Sequence, residues 1–414
     1  MKKNDTLKIY TGYYLRYLIE TDGITANYVA EALDINKGYF SAMLNGKANL
    51  SDETILAAFA FLQEKFSYSS THLEEVKDYL SKILDSYLTI DYDNIEKILQ
   101  TVLSKKDTYL HSPAFFHMQL ILFIQKVIER DSIDEIRPIL QIIHDYLRVF
   151  SEDEIFLFYL FKAEYYFDSY QYEEALQALS FAKQLALKLK NTIYLAVVLQ
   201  TTSRVTLYQG KATLTLANIN KSLNLFFDST YFQRIQHLHI SLADAYSLAG
   251  MYEDAISKCN DLLQHLDSKN VFFKVRIENA LCLTYLRKKD YKHSLYYARE
   301  ILKLDPTYEN AILSIIVCLL NTNKKDCLQY IEDHKHEIHT DYVMHFIGLL
   351  EFYLKDDMDQ FLKEAIGFIE YCPSYEYNEY IIDILIKYYS KKRQLRKVNE
   401  LQKLLIKYLK EKQI

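Results

Sequence analysis

Beyond about residue 68, apolar positions recur every three or four residues in one long segment after another, a pattern that predicts successive amphipathic helices. Short polar breaks at N-T-I, Y-Q-G-K, L-A-G-M-Y and K-K-D-Y separate these segments. The first 65 or so residues hold a cluster of shorter helical patterns, also with polar breaks. No strand-like alternation persists long enough to compete. The chain reads as all-α.

The helical pattern repeats. Y-Y-F-D-S-Y-Q-Y-E-E-A-L (165–176), A-Y-S-L-A-G-M-Y-E-D-A-I (245–256) and T-Y-L-R-K-K-D-Y-K-H-S-L (284–295) share one plan, with a weaker copy at L-Y-Q-G-K-A-T-L-T-L. A small residue begins the second helix's buried stripe in each: Ala175, Thr215, Ala255 and Ser294, spaced 40, 40 and 39 residues apart. Twelve residues upstream stand Ala163, Ser203, Ala243 and Cys282. Small side chains at both places let two antiparallel helices approach closely, with Tyr166, Tyr246 and Tyr285 wedged beside them. The plan resembles a tetratricopeptide repeat lengthened from its usual 34 residues or so. That resemblance implies hairpins stacked into a right-handed superhelix with a concave groove suited to an extended peptide. A pure scaffold for protein contacts is the alternative.

Composition agrees with this reading. Only 8 Gly and 4 Pro occur in 414 residues, too few for the turns of a sheet-rich protein. The 37 Tyr can fill core volume while keeping a hydroxyl at a wet edge, although an A/T-rich genome would give the same bias. A net charge of −6 excludes a global polycation, so any nucleic-acid contact must be a local patch. The five cysteines form no C-x-x-C pair and read as free thiols in a reducing compartment. M-K-K-N-D-T-L-K lacks a signal peptide's apolar core, and no stretch approaches the roughly 18 apolar residues of a membrane span. A soluble, cytoplasmic protein is expected.

The N-terminal cluster carries the most local information. In I-T-A-N-Y-V-A-E-A-L-D-I-N-K-G-Y-F-S-A-M-L-N-G-K-A-N-L-S (24–51), Thr25 caps a helix that buries Tyr28, Val29 and Leu33 around a small Ala30. Asp34 makes the turn and Ile35 is its buried hinge. Asn36 caps a second helix with Phe40, Met43 and Leu44 inward, and Gly46 ends it with positive φ. The order resembles the helix-turn-helix of Xre and phage-repressor regulators. By position, that resemblance implies that Lys37, Gly38, Tyr39 and Ala42 face bases, while Asn36, Asn45 and Lys47 meet phosphates and Ser41 also belongs to the DNA-binding set. Gly38 and Ala42 offer no hydrogen bond to a base. Residues 1–68 hold seven Lys/Arg against eight Asp/Glu, yet Ile35–Ser51 contains Lys37, Lys47 and no acid. Weak monomer binding, helped by dimerisation and DNA shape, follows. A helix-turn-helix that has lost DNA binding is the alternative.

A helix-turn-helix joined to tetratricopeptide repeats is the layout of the peptide-pheromone receptors of Gram-positive bacteria and their phages, the Rap, Rgg, NprR, PlcR and PrgX group. The segment F-I-G-L-L-E-F-Y-L-K-D-D-M-D-Q-F-L-K-E-A-I-G-F-I-E-Y (346–371) is similar to the arbitrium receptors of that group, the AimR branch. The resemblance implies four parts: a DNA-binding head over 1–68, linking repeats over 69–150, a peptide-binding array over 151–390 and a capping or dimerisation helix over 391–414. It implies a homodimer whose partners are a double-stranded operator and a short linear peptide containing Arg. It places Asp359 against that arginine, Phe361 beside it, and Arg204, Arg234 and Asn279 on the peptide backbone. Asp356, Asp357 and Asp359 also read as a solvated inter-helix turn, and Asn279 as an exposed helix residue.

The chain carries no catalytic or cofactor signature of the common kinds. G-x-x-x-x-G-K-[ST], G-x-G-x-x-G and G-x-S-x-G are absent. D-H-K-H-E-I-H (333–339) lacks the i, i+4 histidine pair of a zinc protease and reads as a polar inter-helix segment. His237 and His239 read as packing or groove residues, and Glu173–Glu174 as helix-start charges. A non-enzymatic chain without cofactor or resident metal is expected.

Overall fold

The computed structural model describes residues 3–48, 51–130, 133–267, 269–372 and 374–413. Among the described residues it is all-α, with 23 α-helices, two short 3₁₀ turns and no strand. Packing divides the chain into two compact units, between Lys190 and Asn191.

The first unit holds α1 (Lys3–Thr21), α2 (Ala26–Ala32), α3 (Lys37–Leu44), α4 (Asp52–Phe61), α5 (Ser70–Thr89), α6 (Tyr92–Leu103), α7 (Lys106–Leu110), α8 (Phe115–Glu129), α9 (Ile133–Asp145), α10 (Glu152–Asp168) and α11 (Tyr172–Lys188). Aromatic packing fixes α1 to the helices after the N-terminal cluster. Tyr14 stacks on Phe115 at 4.4 Å between ring centroids, and Tyr17 packs on the same ring at 4.9 Å. The expected linking segment thus supplies part of the core on which the N-terminal helices rest.

The second unit holds α12 (Thr192–Tyr208), α13 (Ala212–Phe226), α14 (Phe232–Leu248), α15 (Tyr252–Gln264), α16 (Val271–Arg287), α17 (Tyr291–Leu304), α18 (Glu309–Thr322), α19 (Lys324–His334), α20 (Asp341–Leu354), α21 (Met358–Tyr371), α22 (Tyr375–Lys391) and α23 (Leu395–Gln413). Each even-numbered helix forms a hairpin with the next. The first helices α12, α14, α16 and α18 also pack side by side. All eight small residues of the repeat are buried. At one crossing the paired side chains touch, with Cys282 Sγ 3.5 Å from Ser294 Oγ; at another, Thr215 Oγ1 lies 2.9 Å from Thr206 Oγ1, three residues beyond its counterpart Ser203. The array also meets itself, because α23 packs against α13.

One turn recurs through the hairpins. Tyr170, Gly210, Gly250 and Lys289 all take left-handed backbone, with φ of 60°, 78°, 79° and 63°. Asp356 does the same between α20 and α21, with φ 59°. Glycine adopts this conformation without strain, while the other three residues do so at a cost.

Candidate functional site

Two regions answer to the sequence expectations, one in each unit. In the first, Thr25 Oγ1 accepts the Tyr28 N–H at 3.2 Å and begins α2. Asp34 makes the turn at φ 53°, and the Ile35 N–H closes onto Ala30 O at 2.8 Å. Asn36 Oδ1 then accepts the Tyr39 N–H at 3.1 Å and starts α3. Val29, Ala30, Phe40, Met43 and Leu44 face inward as expected. Tyr28 does not: it is 56 % exposed, its ring edge-on to Phe61 at 6.0 Å. Ile35 and Leu33 are half-buried.

The outer face of α3 is open. Asn36, Lys37, Gly38, Tyr39, Ser41 and Lys47 are exposed, and Ala42 and Asn45 are half-buried. Lys37 is held by the Glu31 carboxylate of α2. Asn45 is committed at both ends: its Nδ2 donates to Ser41 O at 2.8 Å and its Oδ1 accepts from Arg16 Nη1 at 2.8 Å. Gly46 takes φ 68° beside Ile9 and Tyr13. Two cations that the sequence reading passed over stand at this turn. One is Arg16; the other is Arg148, whose guanidinium lies 4.4 Å from the Tyr13 ring centroid. Both belong to other helical segments, so linear spacing could not bring them to residues 45–47.

In the second unit, helical spacing aligns polar stripes on the first helices: Gln200, Arg204 and Tyr208 on α12, His237, Ser241 and Asp244 on α14, and Arg276, Asn279 and Arg287 on α16. The stripes face one another. Arg276, Arg234 and Arg204 all act on His237, whose imidazole is driven down to about 3 by burial first and by these guanidiniums second. Burial pushes the Asp244 carboxyl up to about 6, against the pull of Arg287 and Arg276 and helped by Glu376 of α22. Groups from α14, α16 and α22 thus gather around one point on the inner side of the array. Arg287 ties them together: its Nε and Nη2 each donate to Glu376 Oε1 at 2.8 Å, and its Nη1 donates to Ser247 Oγ at 2.9 Å.

The expected peptide contacts divide. Arg204 and Asn279 lie part-exposed on the inner stripes, and Asn279 Oδ1 is buried with no hydrogen-bond partner among the described residues. Arg234 is only 4 % exposed; its Nη1 donates to Gln200 Oε1 at 2.8 Å, which makes it a brace between α12 and α14. Phe361 must be withdrawn, because its ring is fully buried in the core with Phe346, Ala365 and Phe368. The spacing 361, 365, 368 is the inward stripe of α21. Asp359 is exposed in the first turn of that helix. Its neighbours are turn and cap: Asp356 takes the left-handed turn, and Asp357 Oδ1 accepts the Gln360 N–H at 3.2 Å. The local geometry is therefore that of an inter-helix turn. Asp244, Arg276, Arg287 and Glu376 were missed, although a polar stripe through Asn279 marks the face on which Arg276 and Arg287 sit.

Among the described residues the five cysteines are buried and unlinked, and no three His, Cys, Asp or Glu side chains converge at metal-binding distance. No helix among them is long and apolar enough to cross a membrane.

No family model matches the chain, and no curated protein matches its sequence. Solved structures do match its fold. The crystal structure of NprR in complex with its cognate peptide NprX aligns with a TM-score of 0.64 at 16 % identity, over 81 % of this chain and 99 % of that one. The apo form of the quorum sensor NprR from B. thuringiensis aligns with a TM-score of 0.60 at 16 % identity, over 81 % and 99 %. A Rap protein complexed with Competence and Sporulation Factor aligns with a TM-score of 0.66 at 13 % identity, over 82 % and 98 %. The chain therefore has the all-helical, tetratricopeptide-like fold of the NprR and Rap peptide-receptor structures.

Proposed function

We propose that this chain is a peptide-responsive DNA-binding regulator, in which a short linear peptide on the inner face of the second unit alters the affinity of α3 for an operator. The observation that carries the reading is the facing set of polar stripes on α12, α14 and α16, which includes acceptors without donors, on a fold that NprR uses with its cognate peptide. Arg204 and Asn279 are assigned to the peptide backbone, with Asp359 at most an outer contact. The α3 face of Asn36, Lys37, Gly38, Tyr39, Ser41 and Ala42 is assigned to the groove of double-stranded DNA, with Asn45 and Lys47 at phosphates. The regulator acts as a homodimer with α23 in its interface, a helix that exposes Leu395 and Ile406. Peptide shifts the population between two placements of the reader heads. By resemblance to the arbitrium receptors, peptide lowers DNA binding and favours lysogeny; a pheromone-activated host regulator would show the opposite sign.

A second reading is a protein-docking module in the manner of the Rap group, without DNA binding. The Glu31 grip on Lys37 and the internal engagement of Asn45 favour it. Titrating the purified protein against its own upstream DNA, with and without an Arg-containing peptide, separates the two. A peptide-dependent affinity in either direction supports the regulator, and no binding in either state leaves the docking module.

A further inference from the structure

We propose that Arg148, which lies outside the helix-turn-helix segment, is a phosphate contact of the α3 head on double-stranded DNA. The inference rests on the DNA-binding reading above and adds to it a cation from the 3₁₀ turn Leu147–Val149, between α9 and α10.

The turn after α3 has little of its own left to offer a phosphate. Its backbone N–H groups close the helix: Asn45 donates to Ser41 O at 3.2 Å, Gly46 to Met43 O at 3.0 Å and Lys47 to Ala42 O at 2.8 Å. The Asn45 side chain gives one amide hydrogen to Ser41 O and accepts from Arg16, so a single neutral hydrogen remains. Arg16 is in turn neutralised by Glu20, whose Oε1 accepts its Nε–H at 2.7 Å. Of the turn's own residues only Lys47 brings a charge, and it is exposed.

Arg148 brings a second. Its guanidinium lies over the Tyr13 ring, 4.4 Å from the centroid, and 5.8 Å from that of Tyr146. The Tyr13 hydroxyl donates to Asn45 O at 3.4 Å, so one ring joins the guanidinium to the turn. Arg148 is exposed, yet no carboxylate among the described residues pairs with it. Glu20 is held by Arg16, and both Asp145 oxygens accept from Gln141 Nε2, at 2.9 and 3.0 Å. Stacking engages the face of a guanidinium and leaves its N–H edge, which fits two phosphate oxygens at once. Two aromatic rings thus fix an exposed cation beside the end of α3 and leave its charge to a partner rich in anions.

The test titrates the full chain against its own upstream DNA and an unrelated duplex of equal length, over a range of salt, with and without the Arg-containing peptide. Arg148→Gln keeps a planar group on Tyr13 and removes the charge. It is expected to lower the slope of log affinity against log salt by about 0.9 for each bound copy, and affinity near 0.15 M salt by about fivefold per copy. Both duplexes should lose equally, because a phosphate contact carries no sequence information. Arg148→Lys, which keeps the charge, is expected to restore the slope, and it preserves the comparison should R148Q fail to fold. Arg137→Gln removes an exposed cation of α9 and is expected to leave the slope unchanged. A wild-type slope in R148Q, no recovery in R148K, or an equal drop in R137Q overturns the inference and leaves the DNA-binding reading intact. No duplex held by wild type in either state overturns both.

Discussion

At Gly46 the turn after α3 has no room for a side chain. A Cβ there would meet Ile9 Cγ2 at 2.9 Å and the Tyr13 hydroxyl at 3.0 Å, on a backbone already at φ 68°. Gly46→Ala is expected to destabilise the first unit by about 1–3 kcal/mol, read by thermal denaturation. Asp244 makes the opposite case. Its folded value, about 6, lies above the ordinary value near 4, so the penalty for its charge is present above pH 6 and vanishes as pH falls through 4. Asp244→Asn should therefore gain about 1–2 kcal/mol at pH 8 and nothing near pH 4, measured by unfolding at both values. Its surroundings were not legible in the sequence, because Arg276, Arg287 and Glu376 reach it from helices whose placement only folding reveals. Phe361 was misassigned for a different reason. The resemblance points to its motif position, whereas its helical spacing with Ala365 and Phe368 marks it as core.

The helical hairpin is the element that the sequence describes best. Paired small residues twelve apart, with a break between them, state a steric requirement that any register error would violate, and all eight proved buried. The break itself was half legible. Gly210 and Gly250 announce left-handed turns, but Tyr170, Lys289 and Asp356 adopt the same conformation against their preference. Lys289→Gly is accordingly expected to raise the melting temperature, with a gain of about 0.5–1 kcal/mol, since Lys289 is exposed and its Cβ strain is removed. Tyr28 shows the limit of periodicity: spacing places it on the packed side of α2, but α4 offers only the edge of Phe61. For α22 the decisive contact is electrostatic and distant. Arg287→Met leaves Glu376 without its guanidinium, and amide exchange over Tyr375–Lys391 should accelerate by about tenfold or more.

For the whole molecule, the functional proposal turns on association as well as ligand. The α3 face carries few cations, so one copy should bind an operator weakly and two should bind it well. Leu395→Glu with Ile406→Glu, at positions 69 % and 50 % exposed, is expected to halve the solution mass to that of one 49.0 kDa chain. DNA affinity should fall with it, while peptide affinity stays unchanged. Light scattering and titration read the two effects separately. Arg287, finally, changes what kind of object the second unit is. A stack of repeats is ordinarily a one-dimensional chain in which each member knows only its neighbours and the last one frays first. The bridge from Arg287 to Glu376, 89 residues apart, and the packing of α23 on α13 join distant members of that chain. With a late helix pinned to an early one, the described array is less free to unzip from its end. Calorimetry should find the unit melting in one concerted step, and a ligand held at one inner helix would be felt by all of them.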